Sequence, residues 1–199
     1  MNRTKASRCT ARRLVVAALL AWAAAAQAQD EAGARLAAEV CQPCHGLDGN
    51  PAAPTFPILA GQSARYLYLQ LQDFNKGRRS DPLMSPVAAK LSKEDMHSVA
   101  DYLAAQKMRP IASDGDAERI RRGRAKSDQM LCQMCHLGEF RGQNEIPRVA
   151  GQFPEYITKQ LRAFRARIRT NDAGNMAAVT QSLSDEDITD LASYISGLR

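Results

Sequence analysis

Cys41-Gln-Pro-Cys-His45 and Cys132-Gln-Met-Cys-His136 are two copies of one pentapeptide, C-x-x-C-H, set 91 residues apart. On a helical turn, positions i and i+3 lie on one side. The two cysteines of each copy can therefore form thioethers with the two vinyl groups of one haem, while the adjacent histidine faces the iron as proximal ligand. Other chemistry also uses C-x-x-C. A redox dithiol needs only one pair, and the two copies pooled hold four cysteines and two histidines, enough by count for a tetrahedral zinc site. Duplication favours haem, because each copy then serves its own site.

The start of the chain adds a second argument. Arg3, Lys5, Arg8, Arg12 and Arg13 form a basic stretch, an apolar run follows from Leu14 to Ala26, and Ala26-Gln27-Ala28 closes it as an A-x-A cleavage signal. Residues 1–28 are expected to be a secretory signal peptide. The run has 13 residues, against about 20 for a bilayer-spanning helix. The whole chain has 27 Lys and Arg against 21 Asp and Glu, a net +6. Five of the basic residues and none of the acidic ones sit in the first 28, which leaves 22 against 21, or +1. The sequence pI near 9.2 thus belongs mostly to the leader and gives no basis for nucleic-acid binding. Cys9 falls in the leader. The other four cysteines are all in the two motifs, so none remains for a structural disulfide. An exported chain of this kind fits haem attachment in a bacterial periplasm.

The remainder is an internal repeat. Pro57-Ile-Leu-Ala-Gly-Gln62 matches Pro147-Arg-Val-Ala-Gly-Gln152, and Tyr66, Gln70, Leu71 and Phe74 match Tyr156, Gln160, Leu161 and Phe164, all at an offset of 90. Met84, Leu91, Ser92, Asp95, Ala100 and Tyr102 match Met176, Leu183, Ser184, Asp187, Ala192 and Tyr194 at 92. The expected division is an N-terminal domain at 29–107, a linker at 108–116 rich in Pro, Gly and polar residues, and a C-terminal domain at 117–199. Nothing shows a sustained period of two, so both halves read as all-α. The spacing predicts helices at about 31–42 and 115–133. It predicts another from about 64 to 76 with Leu67, Leu71 and Phe74 on one face, and a partner carrying Ile157, Leu161 and Phe164. The last helix of each half opens on a capping box, Ser92 with Asp95 and Ser184 with Asp187. Its buried stripe is Met96, Val99, Ala100 and Leu103, or Ile188, Leu191, Ala192 and Ile195. Each half is small enough to need a staple, and a tethered haem would supply an apolar centre.

Repeat equivalence selects the second axial ligands. Met84 and Met176 occupy matching places, 39 and 40 residues beyond their histidines, whereas Met96, Met108, Met130 and Met134 have no counterpart. Met96 lies on a buried stripe and reads as core filler. Met84, between Pro82 and Pro86, is expected in a stiff extended loop. His97 is the one histidine outside the motifs and reads as solvent-facing. Pro57 and Pro147, lacking N–H groups, are either rigid turns or carbonyl acceptors for the Nδ1–H of His45 and His136, which would fix each ring.

The two C-x-x-C-H domains, the P-x-L-A-G-Q-like segment, the R-x-D-P-x-M-x-P loop from Arg79 to Pro86 and the L-S-x-E-D helix start resemble the dihaem cytochrome c4 family over nearly all of the mature chain. The resemblance implies two tandem class I cytochrome c domains related by a pseudo-twofold axis. It implies two covalently bound haem c groups, attached at Cys41 and Cys44 and at Cys132 and Cys135. It implies His/Met iron ligation by His45 with Met84 and His136 with Met176. The second half departs from the pattern in two places: Leu137 stands where Gly46 follows the first motif, and Asp172 is followed by Ala-Gly-Asn rather than Pro. The implied function is a periplasmic electron carrier, not an enzyme, passing electrons from an upstream quinol-oxidising complex towards a terminal oxidase, with peripheral membrane association open. The rivals are a dihaem redox enzyme of peroxidase or thiosulfate-oxidising type, which would need one displaceable ligand, and a cytochrome subunit of a larger oxidase or dehydrogenase.

Overall fold

The computed structural model describes residues 31–111 and 116–199. The expected signal peptide lies outside the described residues, as do residues 112–115 of the expected linker. The described residues are helical with no strand; the nearest thing to one is an isolated bridge between Gln143 and Ile146.

The first half begins with a helical run, α1, from residue 31 through a π-helical turn at Ala37–Cys41 to a final α-turn at Gln42–His45. Pro43 falls in that last segment, directly after the π-helical turn. Next come α2 (Ala64–Asn75), capped by Ser63, α3 (Met84–Ala88), and α4 (Lys93–Ala105). The second half repeats the order with α5 (Ala117–Gln129), α6 (Cys132–His136), a 3-10 turn at Gly138–Phe140, α7 (Pro154–Arg165), α8 (Asn175–Thr180) and α9 (Asp185–Ser196). Both expected capping boxes are present. The expected apolar stripes of α4 and α9 are buried in two separate small cores.

In each half the first and last helices cross at a glycine. A Cβ on Gly33 would lie 2.3 Å from the Ser98 carbonyl oxygen, and one on Gly123 only 2.1 Å from that of Asp190. The second half is one residue longer between this glycine and its first cysteine. It takes up the difference by ending α5 at Gln129 and turning through Leu131 at φ 55°, so the helix expected to reach 133 stops short. Two other expectations are corrected. Met84 opens a one-turn helix rather than sitting in an extended loop, since Pro86 lies in a first turn where it needs no N–H. His97 is half-buried, its ring stacked on Tyr68 at 3.9 Å between centroids, because α4 packs against α2 there.

The repeated P-x-x-A-G-Q segments meet at the centre of the molecule. Gln62 accepts from Arg148 N–H (2.8 Å) and donates to Arg148 C=O (2.8 Å). Gln152 accepts from Ile58 N–H (2.9 Å) and donates to Ile58 C=O (3.0 Å). Arg148 and Ile58 are matching positions, so each half offers the other the same contact. This is the reciprocity of a twofold axis. The glycine before each glutamine has φ near +65°, and its N–H bonds to the last helix of its own half, Gly61 to Leu103 (3.0 Å) and Gly151 to Ile195 (3.1 Å). Around this centre Arg79 reaches Tyr156 and Gln160, while Arg169 reaches Tyr66 and Gln70, all at 3.0 Å or less.

Candidate haem-binding sites

Each C-x-x-C-H is carried by one helical turn, with the histidine as its last residue. His45 is buried and His136 half-buried. The Nδ1 of His45 is 3.0 Å from the Pro57 carbonyl, and the Nδ1 of His136 is 3.0 Å from that of Pro147. A carbonyl only accepts, so Nδ1 carries the proton in both rings. Burial lowers both histidine pKa values, with the carbonyl bond acting the other way. A neutral ring with its proton on Nδ1 leaves the Nε2 lone pair free for a metal. Of the two expectations for Pro57 and Pro147, the carbonyl acceptor is what the structure contains.

The surroundings of Cys41 and Cys132 are not those of a reactive thiol. Burial, with Cys44 adding to it, pushes Cys41 up to about 11, and burial raises Cys132 as well. Reactive thiols are shifted the other way. Among the described residues no group of three or more His, Cys, Asp or Glu is placed to hold a metal ion, so the motifs do not pool into a zinc site.

Met84 and Met176 each sit at the start of a short helix, α3 and α8. Both starts are held by an aspartate that the sequence shows in the loop but whose role only the fold reveals. Asp81 accepts from Leu83 N–H (3.0 Å) and Met84 N–H (3.2 Å), and Asp172 from Met176 N–H and Ala177 N–H (3.2 Å). Burial works to raise the Asp81 carboxyl, but those N–H groups and Lys159, 3.2 Å away on the other half, outweigh it and hold it low. An acid three or four residues ahead of each methionine was the signal available in the sequence.

The fit of a haem can be judged from what the fold leaves uncovered. Among the described residues, the exposed large apolar ones are Val40, Leu47, Leu83, Leu131, Met134, Leu137, Ile168 and Val179. All but Ile168 lie beside a C-x-x-C-H motif or in a methionine segment. Such grouping is not the scatter of ordinary surface apolar residues; it falls on the segments expected to meet an apolar macrocycle. The donor set of each half, two thiols, a free Nε2 and a thioether, matches haem c.

Two helical domains, each with a C-x-x-C-H turn, a carbonyl-braced histidine and a methionine of its own, define a dihaem c-type cytochrome. The family model for cytochrome c matches the chain twice, at residues 31–107 and 120–199. Cytochrome c4 of Pseudomonas aeruginosa is 38% identical, with 86% of this chain and 90% of that protein covered. The crystal structure of reduced recombinant cytochrome c4 from Pseudomonas stutzeri superposes with a TM-score of 0.77 at 36% identity, covering 85% of this chain and 98% of that one. A protein of Stutzerimonas stutzeri named thiosulfate dehydrogenase electron acceptor is 36% identical, with 84% and 83% covered. The chain belongs to the cytochrome c4 family. It is a dihaem electron-transfer protein with two covalently bound haem c groups.

Proposed function

We propose that the chain is exported to the periplasm by cleavage after residue 28 and works there as a diffusible electron carrier, not as an enzyme. Its domains divide at 29–107 and 117–199. Cys41 and Cys44 would hold one haem and Cys132 and Cys135 the other, with His45 and Met84 the ligands of one iron and His136 and Met176 those of the second. The observation that carries this reading is the His–Pro carbonyl bond present at 3.0 Å in both halves, since it presents the same free Nε2 twice.

Bound haem iron supplies a one-electron Fe(II)/Fe(III) couple. The protein does the rest. The proline carbonyls fix the histidine rings and raise their basicity. Asp81 and Asp172 hold the methionine helices in register. With a histidine and a methionine committed to each iron, no position would remain open for a substrate, which argues against peroxidase chemistry. The reciprocal interface holds the two halves in one relation while partners dock through small, transient contacts. No helix among the described residues is long and apolar enough to cross a membrane.

The upstream donor is a quinol-oxidising complex and the acceptor a terminal oxidase. A second reading of the donor is a thiosulfate-oxidising enzyme, favoured by the relative named as its electron acceptor. Stopped-flow reduction by each purified donor separates the two. The ligand assignment is tested on the purified mature protein. Its mass should equal residues 29–199 plus two haems, and the oxidised form should show the weak near-red sulfur-to-iron band at the strength of two methionine ligands. Rapid carbon monoxide binding by the reduced protein at either site would refute the carrier reading in favour of an enzyme.

A further inference from the structure

The P-x-x-A-G-Q segment does two jobs at adjacent residues. The carbonyl of Pro57 accepts from His45 (3.0 Å), and the next residue, Ile58, is gripped at both N–H and C=O by Gln152 of the other domain (2.9 and 3.0 Å). In the mirror arrangement Pro147 accepts from His136 (3.0 Å), and Arg148 is gripped at both groups by Gln62 (2.8 and 2.8 Å). The Pro57 carbonyl carbon is bonded directly to the Ile58 nitrogen, in one rigid peptide plane. Whatever fixes the Ile58 N–H therefore fixes the direction of the Pro57 carbonyl.

We propose that Gln152 is a positioning residue for His45 and Gln62 a positioning residue for His136, so that each domain sets the orientation of the other domain's iron-ligating histidine. The inference rests on the assignment of those histidines as ligands. The glutamines are suited to it. They are buried, 5% exposed for Gln62 and 4% for Gln152. A primary amide offers one acceptor and one donor side by side, which is what a peptide N–H and C=O require. The oxygen of each also accepts from the N–H of the residue that follows it, Ser63 or Phe153. The domain interface thereby becomes part of both sites. A change in one domain reaches the other domain's histidine through one side-chain amide and one peptide plane.

The test uses the full holoprotein and four variants. Gln152→Met and Gln62→Met are close in length and remove the amide; Gln152→Asn and Gln62→Asn keep the amide, shorten its reach, and serve if a methionine variant does not fold. Nuclear magnetic resonance of the reduced protein reads hydrogen exchange at the Nδ1–H of each histidine, and potentiometry reads the midpoint of each haem. Loss of Gln152 is expected to speed exchange at His45 about fivefold, the value of one net hydrogen bond, to shift the midpoint of the N-terminal haem, and to leave His136 and its haem as they were. Loss of Gln62 should do the converse. A merely structural role would loosen the variant's own domain first. If each variant disturbs only its own domain's haem, or neither, the inference is wrong. His45→Ala and His136→Ala separate this from failure of the ligand assignment. If the low-spin signal of the altered domain survives, the assignment itself has failed. If that signal is lost while the glutamine variants leave the opposite site unmoved, only the positioning role has failed.

Discussion

A single position separates the two motifs most sharply. Gly46, after the first histidine, has φ 73° and ψ 158°; Leu137, after the second, has φ 61° and ψ 174°. That region is open to glycine and costs other residues about 1–3 kcal/mol. The second half keeps the backbone path of the first with the wrong residue for it. Leu137 is 37% exposed before a haem covers it, so burial offsets this strain only in part. Leu137→Gly is therefore expected to stabilise the C-terminal domain by about 1 kcal/mol, after roughly 0.5–1 kcal/mol for the added freedom of glycine in the unfolded chain. The reverse change should hurt more. In Gly46→Ala a Cβ would stand 2.5 Å from the Asn50 carbonyl oxygen, and a loss of at least about 2 kcal/mol is expected. Thermal unfolding of the two holoprotein variants checks both signs, and a destabilised Leu137→Gly would mean that the leucine packs where glycine cannot serve. The departure at Leu137 was legible in the sequence because the repeat supplied its own reference. The histidine–carbonyl bond was half legible: proline identity limited the carbonyl to accepting, but only the folded loop shows that it reaches the ring. The glutamines that close the repeated segments show in the sequence only as a repeat, since their partners lie 86 and 94 residues off in sequence.

At the scale of elements, local chemistry fixes what the sequence predicts well. The α2, α4, α7 and α9 helices follow from apolar spacing, and the capping boxes of α4 and α9 from Ser and Asp three apart. The short helices α3 and α8 were missed because prolines or glycines flank them and one turn holds no period to detect. The glycines at the crossings were missed because nothing local marks them. They give the larger prediction. Gly33→Ala and Gly123→Ala would push a methyl into the last helix's backbone, and overpacking of this kind costs roughly 1–3 kcal/mol. Ser92→Ala and Ser184→Ala, which remove a cap, should cost about 1 kcal/mol each. Urea midpoints at constant slope should place the glycine variants below the serine ones. The caps also set the response to acid. Asp95, mainly through its bonds from Ser92, and Asp187, held by Ser184 and Lys126 against the opposing effect of burial, both have lowered pKa values. A carboxylate whose folded pKa lies below its unfolded value stabilises the fold above the ordinary carboxylate range, and that stability is lost as pH falls through the folded value. The helices are therefore expected to hold their stability from neutral pH down to about 5 and to lose it in stronger acid, with less loss in Asp187→Asn. Denaturation midpoints against pH, compared for the two proteins, decide it.

Over the whole molecule, the twofold arrangement came from family resemblance and not from any periodicity, because the contacts that build it join residues some 80 to 100 positions apart. Its densest part is a ring of side chains around two guanidinium groups. Arg79 donates to Gln70 (2.7 Å), Tyr156 and Gln160 and lies 4.6 Å from the centre of the Phe74 ring. Arg169 donates to Gln160 (2.6 Å), Tyr66 and Gln70 and lies 4.5 Å from the centre of Phe164. Each glutamine oxygen serves both arginines, so the two halves share acceptors and neither set is complete without the other. Asn171 ties the loop ahead of Met176 to Gln70 and Asp73 of the other half (2.9 and 2.6 Å), and Lys159 ties the loop ahead of Met84 through Asp81 (3.2 Å). Two cores as small as these would by themselves unfold separately; the shared polar centre is what should join them. Hydrogen bonds to charged groups contribute about 1.5–3 kcal/mol each, less whatever the partners recover elsewhere. Arg169 is 8% exposed, so its replacement by methionine keeps the packing and removes the bonds. Arg169→Met is expected to cost roughly 2–4 kcal/mol and to split one cooperative transition of the holoprotein into two, one per domain. Scanning calorimetry of wild type and variant reads this directly. A single transition of unchanged midpoint in the variant would show that Arg169 contributes nothing to the union of the domains, which would then rest on the P-x-x-A-G-Q pairing and the remaining cross-domain bonds of Arg79, Asn171 and Lys159.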